Sequence, residues 1–223
     1  MGKLIVIEGT DGSGKSTQSD LLAARLQREG KAFRRLRFPR YQEESSALIR
    51  MYLGGAFGED PAAVNAYAAS TFYAVDRYAS YMQDWKADYE AGAVFLSDRY
   101  TTSNAVHQGS KLPEDARHAY LRWLQELEYE KMGLPKPDLV ICLDMPTELA
   151  DRLMRKRESD TNTHADIHEK DHEYLARCRS AALDVAKTCG WTVVSCGKDG
   201  QLRSIEEIHE EIYDHVVKCL EEE

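Results

Sequence analysis

Eight residues near the start of the chain, Gly9-Thr10-Asp11-Gly12-Ser13-Gly14-Lys15-Ser16, fit the spacing G-x-x-x-x-G-K-[ST]. That set suits the binding of a polyphosphate. Glycines let backbone N–H groups converge on phosphate oxygens where a Cβ would clash. A helix starting at Lys15 adds partial positive charge aimed at the same oxygens. The Lys15 ammonium can reach the β- and γ-phosphates of a nucleotide, and the Ser16 hydroxyl can ligate Mg²⁺. A glycine-rich turn that binds nothing would share this composition, but the flanks argue against it. Leu4-Ile5-Val6-Ile7 reads as a short apolar strand, and Lys15 to about Glu29 as a helix. Strand, loop and helix in that order are what such a loop needs.

Four further clusters carry suitable chemistry. Asp98-Arg99-Tyr100 follows an apolar run. An Asp there can hold a metal-bound water or take a proton, and the adjacent Arg can neutralise charge on a transferring phosphoryl group. Alone, an Asp-Arg pair reads equally well as a surface ion pair. Arg37-Phe38-Pro39-Arg40-Tyr41 sets two guanidinium groups among aromatics and a rigid proline. Arg binds phosphate bidentately, though a basic loop with an apolar anchor has the same composition. Tyr73 and Arg77 are four apart and share a helical face. A ring beside a planar donor can hold a nucleobase, although aromatics at helical spacing are usually core. Arg152, Arg155, Lys156 and Arg157 precede a polar stretch and could close over phosphates as a lid. On an isolated helix, cations at the C-terminus would simply suit the dipole.

These residues need a scaffold. Beyond the first strand and helix, Phe33 to Arg37 reads as a strand, Ser45 to Leu53 as a helix and Pro61 to about Tyr89 as a long helical stretch. Ala93 to Ser97 is a third strand, ending at Asp98, and Pro113 to Lys131 is helical. Leu139-Val140-Ile141-Cys142-Leu143, within Asp138 to Asp144, is apolar enough to be buried on both faces. Then come a helix from Thr147 to Arg157, an irregular polar segment from Glu158 to Ala165, and a helix from about Ile167 to Lys187. A fifth strand, Trp191 to Ser195, precedes a closing helix from Ser204 to Leu220 that opens on the capping box Ser204-Ile205-Glu206-Glu207. Strands alternating with helices imply an α/β fold, a five-stranded parallel sheet with helices on both faces and ligands beyond the C-terminal strand ends. No linker or repeat interrupts the pattern, so residues 1–223 read as a single domain with a short mobile lid at about 152–168.

Bulk properties exclude several classes. A formal net charge of −9 argues against a nucleic-acid duplex as partner. No apolar run approaches a membrane span, and the first strand starts at once, leaving no room for a signal peptide. Five scattered cysteines without a C-x-x-C pair suggest free thiols and a cytoplasmic setting. His164, His168 and His172 share a face if helical and could hold Zn²⁺, but clustered histidines are far more often ordinary solvated side chains.

Together, Glu8 to Gln18, Phe38-Pro39-Arg40-Tyr41, the Tyr73 to Arg77 stretch, Asp98-Arg99-Tyr100-Thr101-Thr102-Ser103-Asn104 and Gly133 to Val140 resemble the thymidylate kinase family, nucleoside monophosphate kinases of the P-loop NTPase fold. The resemblance spans nearly the whole chain, in order. It implies transfer of the ATP γ-phosphate to dTMP, with Mg²⁺, by a homodimer, as a step toward dTTP. It implies that Gly9, Thr10, Asp11, Gly12, Ser13, Gly14, Lys15, Ser16 and Thr17 hold ATP, and that Asp11 contacts the sugar 3′-hydroxyl or positions phosphate-binding arginines. Lys15, Arg99 and Asp11 would act on the phosphoryl group, with Arg155 or Arg157 from the lid, because the loop lacks an Arg between Asp11 and Lys15. Phe38, Pro39 and Tyr41 would line the dTMP site. Tyr73, where the family usually has Phe, would stack on thymine, and Arg77 would hydrogen-bond its carbonyl. Ser103 and Asn104 would lie near the base, His107 near the sugar, and Glu169 near Mg²⁺ or the sugar. Ser16 and Asp98 are the metal-site candidates. A related phosphotransferase, a deoxynucleoside kinase or another monophosphate kinase, would share most of these features.

Overall fold

A computed structural model describes residues 1–58, 60, 63–161 and 172–222, with the backbone alone for 155–161 and 172–174. Nine α-helices and seven strands are seen among these residues. Strands β1 (Lys3–Gly9), β2 (Arg34–Arg37), β3 (Val94–Asp98), β4 (Leu139–Asp144) and β5 (Thr192–Ser195) form the expected sheet, in the order β2-β3-β1-β4-β5. Both terminal pairs, β2 with β3 and β4 with β5, are parallel. Six of the seven β1 residues are buried, and so are the four central residues of β4. Burial on both faces is why these segments read as continuous apolar runs and not as alternating ones.

The chain divides into two compact units, residues 1–6 with 33–138 and residues 7–32 with 139–223. The first contains β2, β3 and helices α2 (Ala47–Leu53), α3 (Ala66–Ser80), α4 (Lys86–Glu90), α5 (Thr101–His107) and α6 (Glu114–Gln125). Asn65 caps α3, its Oδ1 accepting from Ala68 N at 2.9 Å. The long helical stretch is not one regular helix. Tyr81–Trp85 is a π-helical turn between α3 and α4. That turn buries both Tyr81 and Trp85, whose rings lie 4.6 Å apart, with Phe95 of β3 5.1 Å from Trp85. A second π-helical stretch, Glu126–Lys131, follows α6.

The second unit holds β4, β5 and helices α1 (Lys15–Arg28), α7 (Thr147–Thr161), α8 (His172–Cys189) and α9 (Ile205–Glu221). The capping box forms as expected: Ser204 Oγ accepts from Glu207 N and Glu207 Oε2 accepts from Ser204 N, each at 3.1 Å. The irregular segment expected from Glu158 is corrected, since α7 continues through Thr161. Residues 158–161 contain neither glycine nor proline, so nothing in the backbone ends the helix there. The rest of that segment, and the start of the helix expected from Ile167, lie outside the described residues. A ribbon absent from the sequence reading, β6 (Gly197–Lys198) with β7 (Gln201–Leu202), turns at Asp199-Gly200, with φ of 52° and 74°. Positive φ at both central residues suits a tight two-residue hairpin turn. Four of the five cysteines are buried. Burial pushes the Cys142 and Cys196 thiols up to about 12. No described helix is long and apolar enough to cross a membrane.

Candidate active site

In the second unit, the end of β1 delivers the chain into the glycine loop, and α1 leaves it at Lys15. The loop folds tightly: Ser13 N donates to Thr10 O at 3.2 Å and Gln18 N to Gly14 O at 3.0 Å. Gly12 has no alternative. Its φ is +77°, and a Cβ would meet Met154 Cγ at 2.9 Å and the Ala150 carbonyl at 3.1 Å. Only glycine accepts that conformation and proximity without strain. Lys15 is 8% exposed, with Nζ donating to Thr10 O at 2.8 Å and Asp11 Oδ1 4.0 Å away. The Ser13 hydroxyl is buried and has no partner among the described residues. A buried hydroxyl without a partner is costly unless something completes it, and a phosphate oxygen would. Ser16 and Thr17 are exposed at the start of α1. An exposed hydroxyl at that point is the oxygen donor that suits Mg²⁺.

Two carboxylates beside the loop are held without having been singled out in the sequence. Glu8 is fully buried and its Oε1 accepts from Gly9 N at 3.0 Å. Asp144, closing β4, takes a two-point grip from Arg179 of α8, Nε to Oδ1 at 2.7 Å and Nη2 to Oδ2 at 3.2 Å. Of the lid candidates, Arg155 and Arg157 fall on α7 but their side chains lie outside the described residues, as does Glu169 altogether; so do His164, His168 and the His172 side chain.

In the first unit the other candidates gather at the ends of β2 and β3. Phe38 is buried, donates its N–H to Asp98 O at 3.2 Å, and packs its ring 5.9 Å from that of Tyr100. The Phe38-Pro39 peptide is cis. Asp98 is 8% exposed, and Arg37 approaches its Oδ2 at 3.5 Å. Arg40 is pinned by buried Asp76, which accepts from its N–H at 2.8 Å and from Nε at 3.3 Å, while Ser45 Oγ donates to the same carboxylate at 2.6 Å. Tyr41 is 48% exposed. Tyr73 is half-buried, and burial raises the pKa of its phenol, against the opposing pull of the Arg99 and Arg77 charges. Phe72 points elsewhere, into Tyr52 and Phe57.

Arg99 adopts φ = 67°, in the left-handed region that costs a non-glycine residue about 1–2 kcal/mol. Ser97 Oγ donates to the Arg99 carbonyl at 2.7 Å and helps to hold that turn. The guanidinium lies along α5, with Nη1 3.5 Å from Ser103 Oγ and 3.0 Å from His107 Nε2. Asn104 is 2% exposed; its Nδ2 donates to Ser70 O at 3.2 Å, and its carbonyl accepts from Tyr120 OH at 3.1 Å. Its amide therefore ties α5 to α3.

Arg77 differs most from expectation. It is 2% exposed and paired with Glu128, which is fully buried: Nε to Oε2 is 2.7 Å and Nη2 to Oε1 2.5 Å. Thr101 Oγ1 donates to the same carboxylate at 2.7 Å. Glu128 thus takes two of the five guanidinium N–H donors, leaving one on Nη2 and two on Nη1 for other acceptors; Nη1 sits 3.4 Å from Tyr100 O. Glu128 itself was missed. Its signal was its place on the face that also carries Tyr120, Leu121 and Leu124, where a carboxylate must find a buried cation.

The chain matches the family model described as thymidylate kinase over residues 7–212. It is 34% identical to the thymidylate kinase of Mycobacterium tuberculosis over 192 residues, covering 84% of this chain and 87% of that protein. It is 31% identical over 214 residues to a probable thymidylate kinase of Thermococcus gammatolerans, covering 95% and 94%, and 29% identical over 211 residues to human thymidylate kinase, covering 95% and 88%.

Proposed function

The chain belongs to the thymidylate kinase family, and from that premise we propose that it transfers the γ-phosphate of ATP to dTMP, giving dTDP and ADP, with Mg²⁺ held by Ser16 and Asp98. The carrying observation is the loop, in which Lys15 is buried and oriented by the Thr10 carbonyl at 2.8 Å. Loop amides and Lys15 bind the donor phosphates; Asp11 positions them or the acceptor sugar. Arg99 neutralises charge developing on the transferred group, and Arg155 or Arg157 adds to it. Bound Mg²⁺ would supply further neutralisation of the phosphate oxygens. Catalysis of this type rests on positioning and charge, not on a covalent enzyme intermediate.

Phe38, Pro39 and Tyr41 wall the dTMP site, and Tyr73 stacks on thymine. Arg77 meets the base through an N–H that Glu128 leaves over, Ser103 and Asn104 lie beside it, and Glu169 completes the sugar or metal side. The arginines near Phe38 favour a phosphorylated acceptor, which speaks against a nucleoside kinase. The protein works as a cytoplasmic homodimer. Supporting that state, Leu48 and Met51 of α2 and Val75, Tyr78 and Met82 of α3 and its π-turn are each 40–47% exposed. The positions 75, 78 and 82 repeat at helical spacing and form an apolar stripe.

A coupled ADP-release assay with ATP, Mg²⁺ and dTMP, dUMP, UMP, dCMP, dGMP, dAMP or thymidine tests the reading. Strong preference for dTMP is expected. Turnover of thymidine, or of another monophosphate in its place, would move the acceptor assignments.

A further inference from the structure

We propose that His107 is a positioning residue for Arg99, not a wall of the sugar site: its Nε2 accepts a hydrogen bond from the guanidinium and fixes the orientation in which Arg99 meets phosphate. The proposal rests on the phosphoryl-neutralising role of Arg99 given above. A guanidinium has donors only. At 3.0 Å from Arg99 Nη1, His107 Nε2 must therefore present its lone pair, and the neutral ring carries its proton on Nδ1. The helix makes this contact possible. Ser103 and His107 are four residues apart and stack one turn above the other on α5. Arg99 precedes the helix in its left-handed turn, and Nη1 lies within 3.5 Å of Ser103 Oγ as well. Arg99 is thus constrained at both ends, its backbone by Ser97 at 2.7 Å and its tip by His107. A long, flexible side chain would otherwise sample many rotamers, and misplacement of a catalytic cation by about 1 Å can cost on the order of 10²-fold in rate.

The test compares His107→Phe, His107→Gln, Arg99→Ala and the double variant Arg99→Ala/His107→Phe in steady-state kinetics with ATP and dTMP. His107→Phe should lower kcat roughly tenfold or more and leave KM for ATP unchanged. His107→Gln, whose amide oxygen can accept from Arg99, should recover kcat to within about threefold. The double variant should be no slower than Arg99→Ala, because a residue acting through Arg99 has nothing left to position. Independent, multiplicative losses in the double variant would overturn the proposal. So would a His107→Phe effect confined to the dTMP-to-ribo-TMP preference, which would return His107 to the sugar. Arg99→Ala with wild-type kcat would sink the proposal through the role of Arg99 itself, while loss of activity in Arg99→Ala with multiplicative effects would sink only the coupling. If the Phe variant unfolds, nitrogen-15 spectra of the histidines in the wild-type protein at pH 8 decide: His107 must be the Nδ1–H tautomer, and the Nε2–H tautomer would refute the contact.

Discussion

Glu128→Leu should destabilise the protein more than any surface ion-pair change, and the size of the effect follows from burial. Glu128 is fully buried and Arg77 2% exposed, with contacts of 2.5 and 2.7 Å. Burial disfavours the charge on Arg77, and Glu128 more than restores it, leaving the guanidinium pKa raised. Removing the carboxylate strands a cation whose other contact, with Tyr100 O, is 3.4 Å long. Stranding one member of a buried pair costs about 3–5 kcal/mol. For a protein of this size about 2–4 °C of Tm follows each kcal/mol, so a fall of roughly 6–20 °C is expected. The double variant Arg77→Met/Glu128→Leu should regain most of the loss, because two apolar side chains replace two charges. Differential scanning calorimetry of wild type, both single variants and the double variant closes the cycle. A fall below about 2 °C for Glu128→Leu, or a double variant as unstable as the worse single one, would refute the reasoning. Where the single variants fold, KM for dTMP should rise more than KM for ATP, since Glu128 orients the guanidinium. Equal rises would leave Arg77 with a structural role alone.

Three other outcomes are expected. Lys15→Ala should cut kcat by ~10²–10³-fold, as removal of a single preorganised donor does elsewhere; wild-type kcat would remove Lys15 from the donor site. His209 is buried on α9 with neither ring nitrogen partnered among the described residues, and burial, with help from Arg25 and Arg28, lowers its pKa. The unfolded chain therefore takes up that proton more readily than the folded one, so stability is full above about pH 6.5 and falls as the pH drops through the ordinary histidine value toward the lowered one; urea midpoints at pH 7.5 and 5 should diverge less in His209→Leu than in wild type. Val75→Glu or Met82→Glu should convert the proposed dimer to a monomer in light scattering, and an unchanged mass would remove this stripe from the subunit contact.

How far the sequence exposes this architecture depends on whether the cause is local. The first strand, the glycine loop and α1 are legible because burial, turn conformation and helix start each depend on adjacent residues. The Ser204–Glu207 box is legible for the same reason. The Arg77–Glu128 pair is not, because its members are 51 residues apart and a helical wheel shows only that Glu128 falls on an apolar face. The π-helical turn at Tyr81–Trp85 escapes for a related reason: it answers to the packing of Trp85 on Phe95, which periodicity within one helix does not register. The Asp199-Gly200 turn was visible as a dipeptide, but strands of two residues offer no alternation to flank it.

A chain with net charge −9 that binds two anionic nucleotides has to localise its positive charge, and the ion pairs show how. Arg37 faces Asp98, Arg40 faces Asp76, Arg77 faces Glu128 and Arg179 faces Asp144. Asp76, Glu128 and Asp144 each fix a guanidinium by one or two nitrogens, while Arg37 stays 78% exposed beside Asp98, and each pair adds no net charge. The acidic balance therefore coexists with oriented cations, because orientation, unlike net charge, is set by neighbours within hydrogen-bond reach. Cations held before substrate arrives need little reorganisation when phosphate charge develops, which is where electrostatic catalysis gains most. Arg99 brings neutral acceptors into the same logic: its Nη1 lies 3.5 Å from Ser103 Oγ and 3.0 Å from His107 Nε2.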